Sequence, residues 1–126
     1  MPAGRPQNTV AERVEFRGRG MFHGIEATVV LLPAPADTGI VFRRSDLAGS
    51  PLIGASCEYV AREPRRTVLE AAEGVRVETV EHLMAALAGL HVDNCIVEIN
   101  APELPGFDGS CRPFCDEILA VGTVAI

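Results

Sequence analysis

The chain has 126 residues, of which 48% are hydrophobic, 22% are charged and 5% are aromatic. This length suits a single domain, and the hydrophobic share is sufficient for a buried core of aliphatic side chains, which excludes an intrinsically disordered chain. The net charge of -6 argues against nucleic acid as a partner, because neutralising phosphates requires a cationic surface.

The first half of the chain predicts a flexible arm followed by short strands. We expect residues 1–10 to form the arm and residues 11–126 to form one domain. Alternating apolar and polar residues, or runs of β-branched residues, predict the strands. These are Ala11–Arg17, Glu26–Leu32, Ile40–Arg43 and, as shorter candidates, Ser56–Val60, Thr67–Leu69 and Val75–Thr79.

The hydrophobic period then changes from that of a strand to that of a helix. Val80–Leu90 carries apolar residues at the spacing of one helix face. They are Leu83, Met84, Leu87 and Leu90. Thr79 is the predicted N-cap, and Gly89 lies near the predicted end.

A strand and a second helix complete the predicted domain. Asn94–Asn100 alternates and predicts a central strand. Cys111–Val121 predicts the helix, with Ser110 as N-cap and Pro113 in the first turn, where proline is tolerated. We expect an α+β fold in which one β-sheet carries both helices on one face.

The sequence offers no membrane or export signal. No apolar run approaches the roughly 18 residues that a membrane-spanning helix needs. The polar start, Met1–Pro6, lacks the apolar region of a signal peptide. We therefore expect no transmembrane segment and a cytoplasmic location.

The four cysteines give no recognised metal or redox motif. They are Cys57, Cys95, Cys111 and Cys115, and no CxxC spacing occurs. Cys111 and Cys115 would share a helix face and could form a two-ligand metal patch. In a reducing cytosol the more common role is that of a buried, small hydrophobic residue.

Two arginine clusters could contact the phosphates of an anionic substrate. They are Arg43–Arg44 and Arg62–Arg65–Arg66. A solvated protein surface is the more common role for any one of these side chains.

The pair Glu81–His82 carries the clearest chemical signal. Both residues fall in the first turn of the predicted helix, where the partial positive charge stabilises a carboxylate and favours a neutral imidazole. A neutral imidazole can bind a metal, and a carboxylate beside it can act as a general base. On physical grounds alone, a capping Glu and an ordinary helix His are the more common explanation of such a pair.

Longer strings around this pair resemble the family of UDP-3-O-acyl-N-acetylglucosamine deacetylases of lipid A synthesis. The helix segment Thr79–Leu90 reads TVEHLMAALAGL. Further matching strings are Leu32–Arg44, Val92–Asn94, Glu98–Pro105 and Asp108–Ser110. They follow the order of the family from about residue 12 to about residue 120.

The resemblance implies a two-part enzyme with its active site between two similar α+β halves. His82 matches the zinc ligand of the first half, and Glu81 matches the general base. The other zinc ligands, a His and an Asp, belong to an H-x-x-x-D helix of the second half. The implied reaction removes acetate from UDP-3-O-acyl-N-acetylglucosamine, with zinc polarising the amide carbonyl and Glu81 activating water.

The chain departs from the family in lacking the second-half motif. No H-x-x-x-D string occurs, since His23 and His91 are followed four residues later by Ala27 and Cys95. One zinc ligand is recognisable, whereas a catalytic zinc usually takes three from protein. His91 is expected to be an exposed loop residue.

A second departure lies in the early turn, which reads G-x-G-L-H-[ST]-G in the family. Here Phe22 takes the place of the histidine, and His23 follows it. A one-residue shift along a strand would turn the side chain to the other face, so His23 is expected to be a surface turn residue without a catalytic role.

Three functions remain open. The chain could be the first half of a deacetylase that needs a second half or a homodimer partner, a non-catalytic paralogue that binds nucleotide sugar or acyl chain, or a regulatory partner of a full-length homologue. An interface is expected on the first helix, because Ala85, Ala86 and Ala88 leave its remaining face small and uncharged.

Overall fold

The computed structural model describes residues 5–71 and 74–126, and it confirms the α+β class with two helices. The strands are β1 (Asn8–Val10), β2 (Val14–Arg19), β3 (Glu26–Pro33), β4 (Ile40–Arg44), β5 (Leu52–Gly54), β6 (Val60–Ala61), β7 (Val68–Glu70), β8 (Arg76–Glu78), β9 (Cys95–Ile99) and β10 (Thr123–Ala125). The helices are α1 (Glu81–Gly89) and α2 (Arg112–Val121), and a 3₁₀ turn covers Cys57–Tyr59.

The strands divide among three sheets rather than the single one expected. The main sheet has five strands in the order β2-β3-β9-β4-β5, in which only β4 and β9 run parallel. Strands β6, β7 and β8 form an antiparallel sheet of their own, and β1 pairs with β10. The three-stranded sheet lies between β5 and α1 in the chain, and its last strand, β8, leads directly into α1.

The core covers one face of the main sheet. On β9 the side chains of Cys95, Val97 and Ile99 are buried, whereas Ile96 and Glu98 are half-buried, as the pleat of a strand requires. Neighbouring strands present further buried residues: Val14 and Phe16 on β2, Val29 and Leu31 on β3, Phe42 on β4 and Ile53 on β5.

Both helices pack against this core, as the sequence predicted. α1 buries Leu83 and Leu87, and α2 buries Phe114 and Ile118. The ring of Phe114 meets that of Phe16 edge to face, with centroids 4.9 Å apart. The two helices also contact each other, so α1 has fixed neighbours on the sheet side and on one flank.

The predicted flexible arm is wrong for residues 8–10. They form β1, in which Val10 is fully buried. The hydroxyl of Thr9 donates to the carbonyl of Asn94 at 2.7 Å, and Asp93 binds both Asn8 and Arg5. Because these partners lie more than 80 residues away in sequence, the local pattern could not reveal them. Residues 1–4 of the predicted arm lie outside the described residues.

Two smaller predictions are also corrected. Ser56–Val60 is largely the 3₁₀ turn, and β5 lies in a stretch for which no strand was predicted. Thr79 is not the N-cap of α1: its φ is 59°, Val80 takes the cap position, and the Thr79 hydroxyl donates to Glu103 at 2.6 Å. A buried acceptor therefore takes the hydroxyl that the helix would have used.

The start of α2 is closer to expectation. Its cap residue is Cys111 rather than Ser110, although the Ser110 hydroxyl accepts a hydrogen bond from the Arg112 amide at 3.2 Å. Asp108 in turn accepts hydrogen bonds from the amide and the hydroxyl of Ser110. Asp108 therefore braces the turn that leads into α2.

A buried carboxylate fixes the turn between β2 and β3. Glu103 is fully buried and accepts hydrogen bonds from the amides of Phe22 and His23, at 3.1 Å and 2.9 Å, as well as from Thr79. Gly20 makes this contact sterically feasible, since a Cβ at that position would lie 2.1 Å from Glu103 Oε1. The turn is thereby attached to the segment that precedes α1.

We predict that Gly20→Ala destabilises the fold by about 1–3 kcal/mol, because the added methyl group displaces a buried carboxylate from its hydrogen bonds. Urea denaturation of the variant and the wild type measures the difference. Gly89→Ala is the control, since a Cβ there meets no atom within 4 Å. Equal denaturation midpoints for Gly20→Ala and the wild type would contradict the prediction.

The contacts of Asp93 with Arg5 and Asn8 predict a pH-dependent contribution to the stability of the fold. Hydrogen bonds from the Arg5 side chain lower the pKa of Asp93, partial burial raises it, and a hydrogen bond from the Asn8 amide lowers it further. The resulting pKa is about 2. A carboxyl whose pKa is depressed by folding stabilises the protein above its unfolded pKa and loses that contribution as the pH falls through the folded value.

We therefore expect Asp93→Asn to lower the free energy of unfolding at pH 7 by on the order of 1 kcal/mol, a small value because the ion pair is partly exposed. The difference from wild type should shrink as the pH falls from about 4 towards about 2. Denaturation curves at three pH values measure it. Glu26→Gln, at an exposed position of β3, is the control. A difference that stays constant with pH would contradict the assignment.

Candidate functional site

The candidate site lies where β8 leads into α1. Strand β8 pairs with β7, with Val68 opposite Glu78. The amides of Thr79 and Val80 donate to the carbonyl of Thr67 at 2.8 Å and 3.3 Å. Thr67 is therefore held directly beside the first turn of α1.

The structure places Glu81 and His82 at the first two positions of α1, as predicted. Both side chains are half-buried. Glu81 Oε1 accepts a hydrogen bond from the Thr67 amide at 3.3 Å, which fixes the direction of the carboxylate. The positive end of the helix dipole acts on both residues. Their roles as base and metal ligand stay predictions.

A buried ion network lies behind this pair. The Glu78 carboxylate is 7% exposed. Its Oε2 lies 3.1 Å from His23 Nε2, and its Oε1 accepts a hydrogen bond from Arg66 Nε at 2.9 Å. Arg66 Nη2 lies 2.8 Å from the same oxygen and forms an ion pair with it. Burial raises the pKa of Glu78, but the hydrogen bonds from His23 and Arg66 outweigh it, so the pKa lies below its usual value.

His23 is therefore more than the surface turn residue expected. Residues 21–23 form a turn and not a strand, so the argument from strand alternation does not apply to them. The imidazole is 39% exposed but reaches Glu78, three residues before Glu81. The neighbouring Phe22 ring covers the guanidinium of Arg66, with 4.6 Å between Arg66 Cζ and the ring centroid.

The arginine clusters are mostly engaged within the protein. Arg43 pairs with Glu98, and Arg44 pairs with Asp46 at 2.7 Å. Arg66 pairs with Glu78, whereas Arg62 and Arg65 are exposed. The predicted phosphate contacts gain little support from these positions, because three of the five guanidinium groups already have a carboxylate partner.

The cysteines are only partly as predicted. Cys95 is buried, and burial raises the pKa of its thiol to about 12, which is the behaviour expected of a hydrophobic residue. Cys57 is exposed, so the prediction is wrong there. Cys111 and Cys115 are half-buried on one side of α2, with their sulfur atoms 4.0 Å apart.

The sequence alone did not predict that His23, Arg66 and Glu78 contact one another. Glu78 and Arg66 occur in short strand-like segments with no motif, and His23 lies 55 residues from Glu78 in the chain. The one available signal was the position of Glu78 in a strand directly before a helix, where it is buried. A buried carboxylate requires partners.

The described residues provide only part of a metal site. His82 is half-buried at the second position of α1, next to Glu81. Within residues 5–71 and 74–126, no group of three or more His, Cys, Asp or Glu side chains is placed to hold an ion. These residues therefore do not fit a complete three-ligand zinc site. His82 fits the part of a single ligand.

The outer surfaces of the two helices differ. On α1, Ala85, Ala88 and Gly89 are exposed, so this surface is small and uncharged, whereas Ala86 is buried rather than exposed. On α2, the exposed residues include Arg112, Asp116, Glu117 and Leu119. The uncharged surface expected from the sequence is present on α1. His91, just beyond α1, is exposed as predicted.

Across the described part of the chain, the helices are too short and too polar for any of them to cross a bilayer.

Comparison with known proteins identifies the family. The family model of UDP-3-O-acyl N-acetylglycosamine deacetylase matches residues 7–126. UDP-3-O-acyl-N-acetylglucosamine deacetylase from Shewanella piezotolerans is 45% identical over 116 residues, which are 92% of this chain and 38% of that protein. The bifunctional enzyme LpxC/FabZ from Porphyromonas gingivalis is 42% identical over 94% of this chain and 25% of its own length.

The chain thus spans little more than a third of the single-function relative and a quarter of the bifunctional one. The family match covers the β2–β3 turn, the Glu78 network and the start of α1 together, so the resemblance that the motifs suggested is confirmed. This chain belongs to the UDP-3-O-acyl N-acetylglycosamine deacetylase family.

Proposed function

We propose that this chain supplies one half of the active site of a zinc-dependent deacetylase that acts on UDP-3-O-acyl-N-acetylglucosamine in lipid A synthesis. One observation carries the proposal: the Glu81 carboxylate is directed by the Thr67 amide and stands beside His82 at the positive end of a helix. Family membership and the names of the relatives supply the substrate.

Glu81 would act as the general base. Its Oε1 is engaged by the Thr67 amide, so Oε2 is the atom that would take a proton from the attacking water. Hydrolysis of the acetamide then requires that this proton pass to the leaving nitrogen as acetate departs. The half-buried position of Glu81 keeps the carboxylate accessible to water and substrate.

His82 would supply one zinc ligand, with the remaining ligands coming from a second half. A zinc ion bound there would polarise the amide carbonyl. The imidazole lies in the first turn of α1, beside Glu81, and is half-buried.

The second half would cover α1. Exposed Ala85, Ala88 and Gly89 form a small, uncharged surface that begins one turn after His82. A separate chain with the second-half fold, or a second copy of this chain, could pack there closely because no long side chain intervenes.

A non-catalytic paralogue that binds nucleotide sugar, or regulates a full-length homologue, is the second candidate. One observation favours it. Phe22 and His23 replace the family's turn histidine and the residue after it. Phe22 contacts Arg66, and His23 contacts Glu78. The turn histidine of the family is therefore lost from this half of the site.

We predict that the chain alone has negligible deacetylase activity and that adding a second half restores it. The part of the Shewanella piezotolerans relative that this chain does not match is the partner to co-express; the matched part is 45% identical over 116 residues. Acetate release from UDP-3-O-acyl-N-acetylglucosamine in the presence of zinc is the readout. In the active complex, Glu81→Gln should lower kcat by roughly 10²–10⁴-fold, the usual contribution of a general base.

Glu12→Gln, at an exposed position before β2, is the matched control and should leave kcat unchanged. Zinc-dependent turnover by the chain alone would refute the need for a second half. A complex that forms and binds zinc but releases no acetate would favour the paralogue.

We predict that zinc binding by the isolated chain is weak and depends on His82, because one imidazole cannot match a three-ligand site. Calorimetric titration should show that His82→Ala removes the measurable binding. His91→Ala, an exposed histidine just after α1, is the control and should bind as the wild type does. Equal affinities for His82→Ala and the wild type would place the metal elsewhere.

A further inference from the structure

We propose that His23 and Arg66 are positioning residues which, through Glu78, hold the Thr67 amide against the carboxylate of Glu81. The inference rests on the proposed role of Glu81 as general base. It assigns a function to His23, one of the residues at which this chain departs from the turn sequence of its family.

The first step is the division of the Glu78 carboxylate between two partners. His23 Nε2 lies 3.1 Å from Oε2, and Arg66 binds Oε1 through Nε at 2.9 Å and through Nη2 at 2.8 Å. The Arg66 side chain is 16% exposed and that of Glu78 is 7% exposed. Removing Arg66 would leave the buried Glu78 carboxylate without its cation, and removing His23 would leave Oε2 without its hydrogen-bond partner, so both partners help to fix Glu78.

The second step leads from Arg66 to Glu81 through a single peptide unit. The Arg66 side chain is held by Glu78, while the carbonyl of the next residue, Thr67, accepts the amides of Thr79 and Val80. The peptide between Arg66 and Thr67 is thus fixed on both sides. Its N–H donates to Glu81 Oε1 at 3.3 Å.

The third step anchors His23 itself. Its amide donates to the buried Glu103 at 2.9 Å, and the amide of Phe22 donates to the same carboxylate at 3.1 Å. The Phe22 ring lies over the Arg66 guanidinium and shields it from water. Phe22 and His23 therefore act on the same ion cluster, one by covering Arg66 and the other by binding Glu78.

The consequence is a fixed rotamer for the proposed base. A general base works only when its oxygen is within hydrogen-bond reach of the proton it removes. A displacement of about 1 Å can cost on the order of 10²-fold in rate. A network that fixes the Thr67 amide would therefore act on kcat and leave substrate affinity largely unchanged.

The test uses the whole chain and four substitutions in the network. They are His23→Ala, His23→Gln, Arg66→Ala and Arg66→Lys. Hydrogen exchange at the Thr67 amide and the ¹³C chemical shift of the Glu81 carboxyl, both by NMR at one pH, report the contact directly. Arg43→Ala, which removes an ion pair with Glu98 on the main sheet, is the control.

We expect His23→Ala and Arg66→Ala to accelerate exchange at the Thr67 amide at least about tenfold and to shift the Glu81 carboxyl resonance. His23→Gln, which restores a donor towards Glu78, should recover most of the wild-type behaviour. Should Arg66→Ala fail to fold, Arg66→Lys and the two His23 variants decide the matter. Unchanged exchange and an unchanged resonance in His23→Ala would overturn the proposal.

A second measurement separates this inference from the proposed function. In the complex with a second half, His23→Ala should lower kcat about tenfold with KM unchanged, and His23→Gln should recover most of the loss. An unchanged kcat would overturn the proposal. If the complex with the wild-type chain is inactive, the deacetylase proposal fails, and the NMR result still decides whether His23 and Arg66 position Glu81.

Discussion

Two buried carboxylates, those of Glu78 and Glu103, connect the β2–β3 turn to the segment that precedes α1. Glu103 binds the turn through the amides of Phe22 and His23, and Glu78 binds it through the His23 side chain. A carboxylate is costly to bury unless every oxygen has a donor, so the surrounding groups are tightly constrained. The local geometry of the site follows from satisfying these two groups.

The same constraint explains how α1 begins. Thr79 adopts a φ of 59° and gives its hydroxyl to Glu103, so it is not available to cap the helix. No side chain caps the first residue position of α1 within the described part of the chain. The helix is instead anchored by the contacts of the preceding residues with Thr67. The first turn of α1 therefore carries Glu81 and His82 as half-buried side chains.

The elements that the sequence predicted well are those with a local signal. Strand β9 and both helices follow from their hydrophobic periods. Strand β3 follows from its run of β-branched and apolar residues, of which Val29, Val30 and Leu31 are buried. Glu81 and His82 were found through a motif confined to one helix turn. By contrast, β1 depends on β10 and on Asn94, which are distant in sequence, so its three residues read as an arm.

The Glu78 network escaped prediction for the same reason. Arg66 looked like one member of a basic cluster, and only the fold shows that it is neutralised by a carboxylate while Arg62 and Arg65 stay exposed. His23 was expected to be a surface turn residue without a catalytic role, because a one-residue shift along a strand reverses the side chain. The structure has a turn at this point, so that reason does not apply. A turn held by Glu103 allows consecutive side chains, those of Phe22 and His23, to converge on one ion cluster. Phe22 and His23, which both differ from the family pattern, thus contact the same ion pair of Arg66 and Glu78. Arg66 is followed in the chain by Thr67, whose amide binds Glu81.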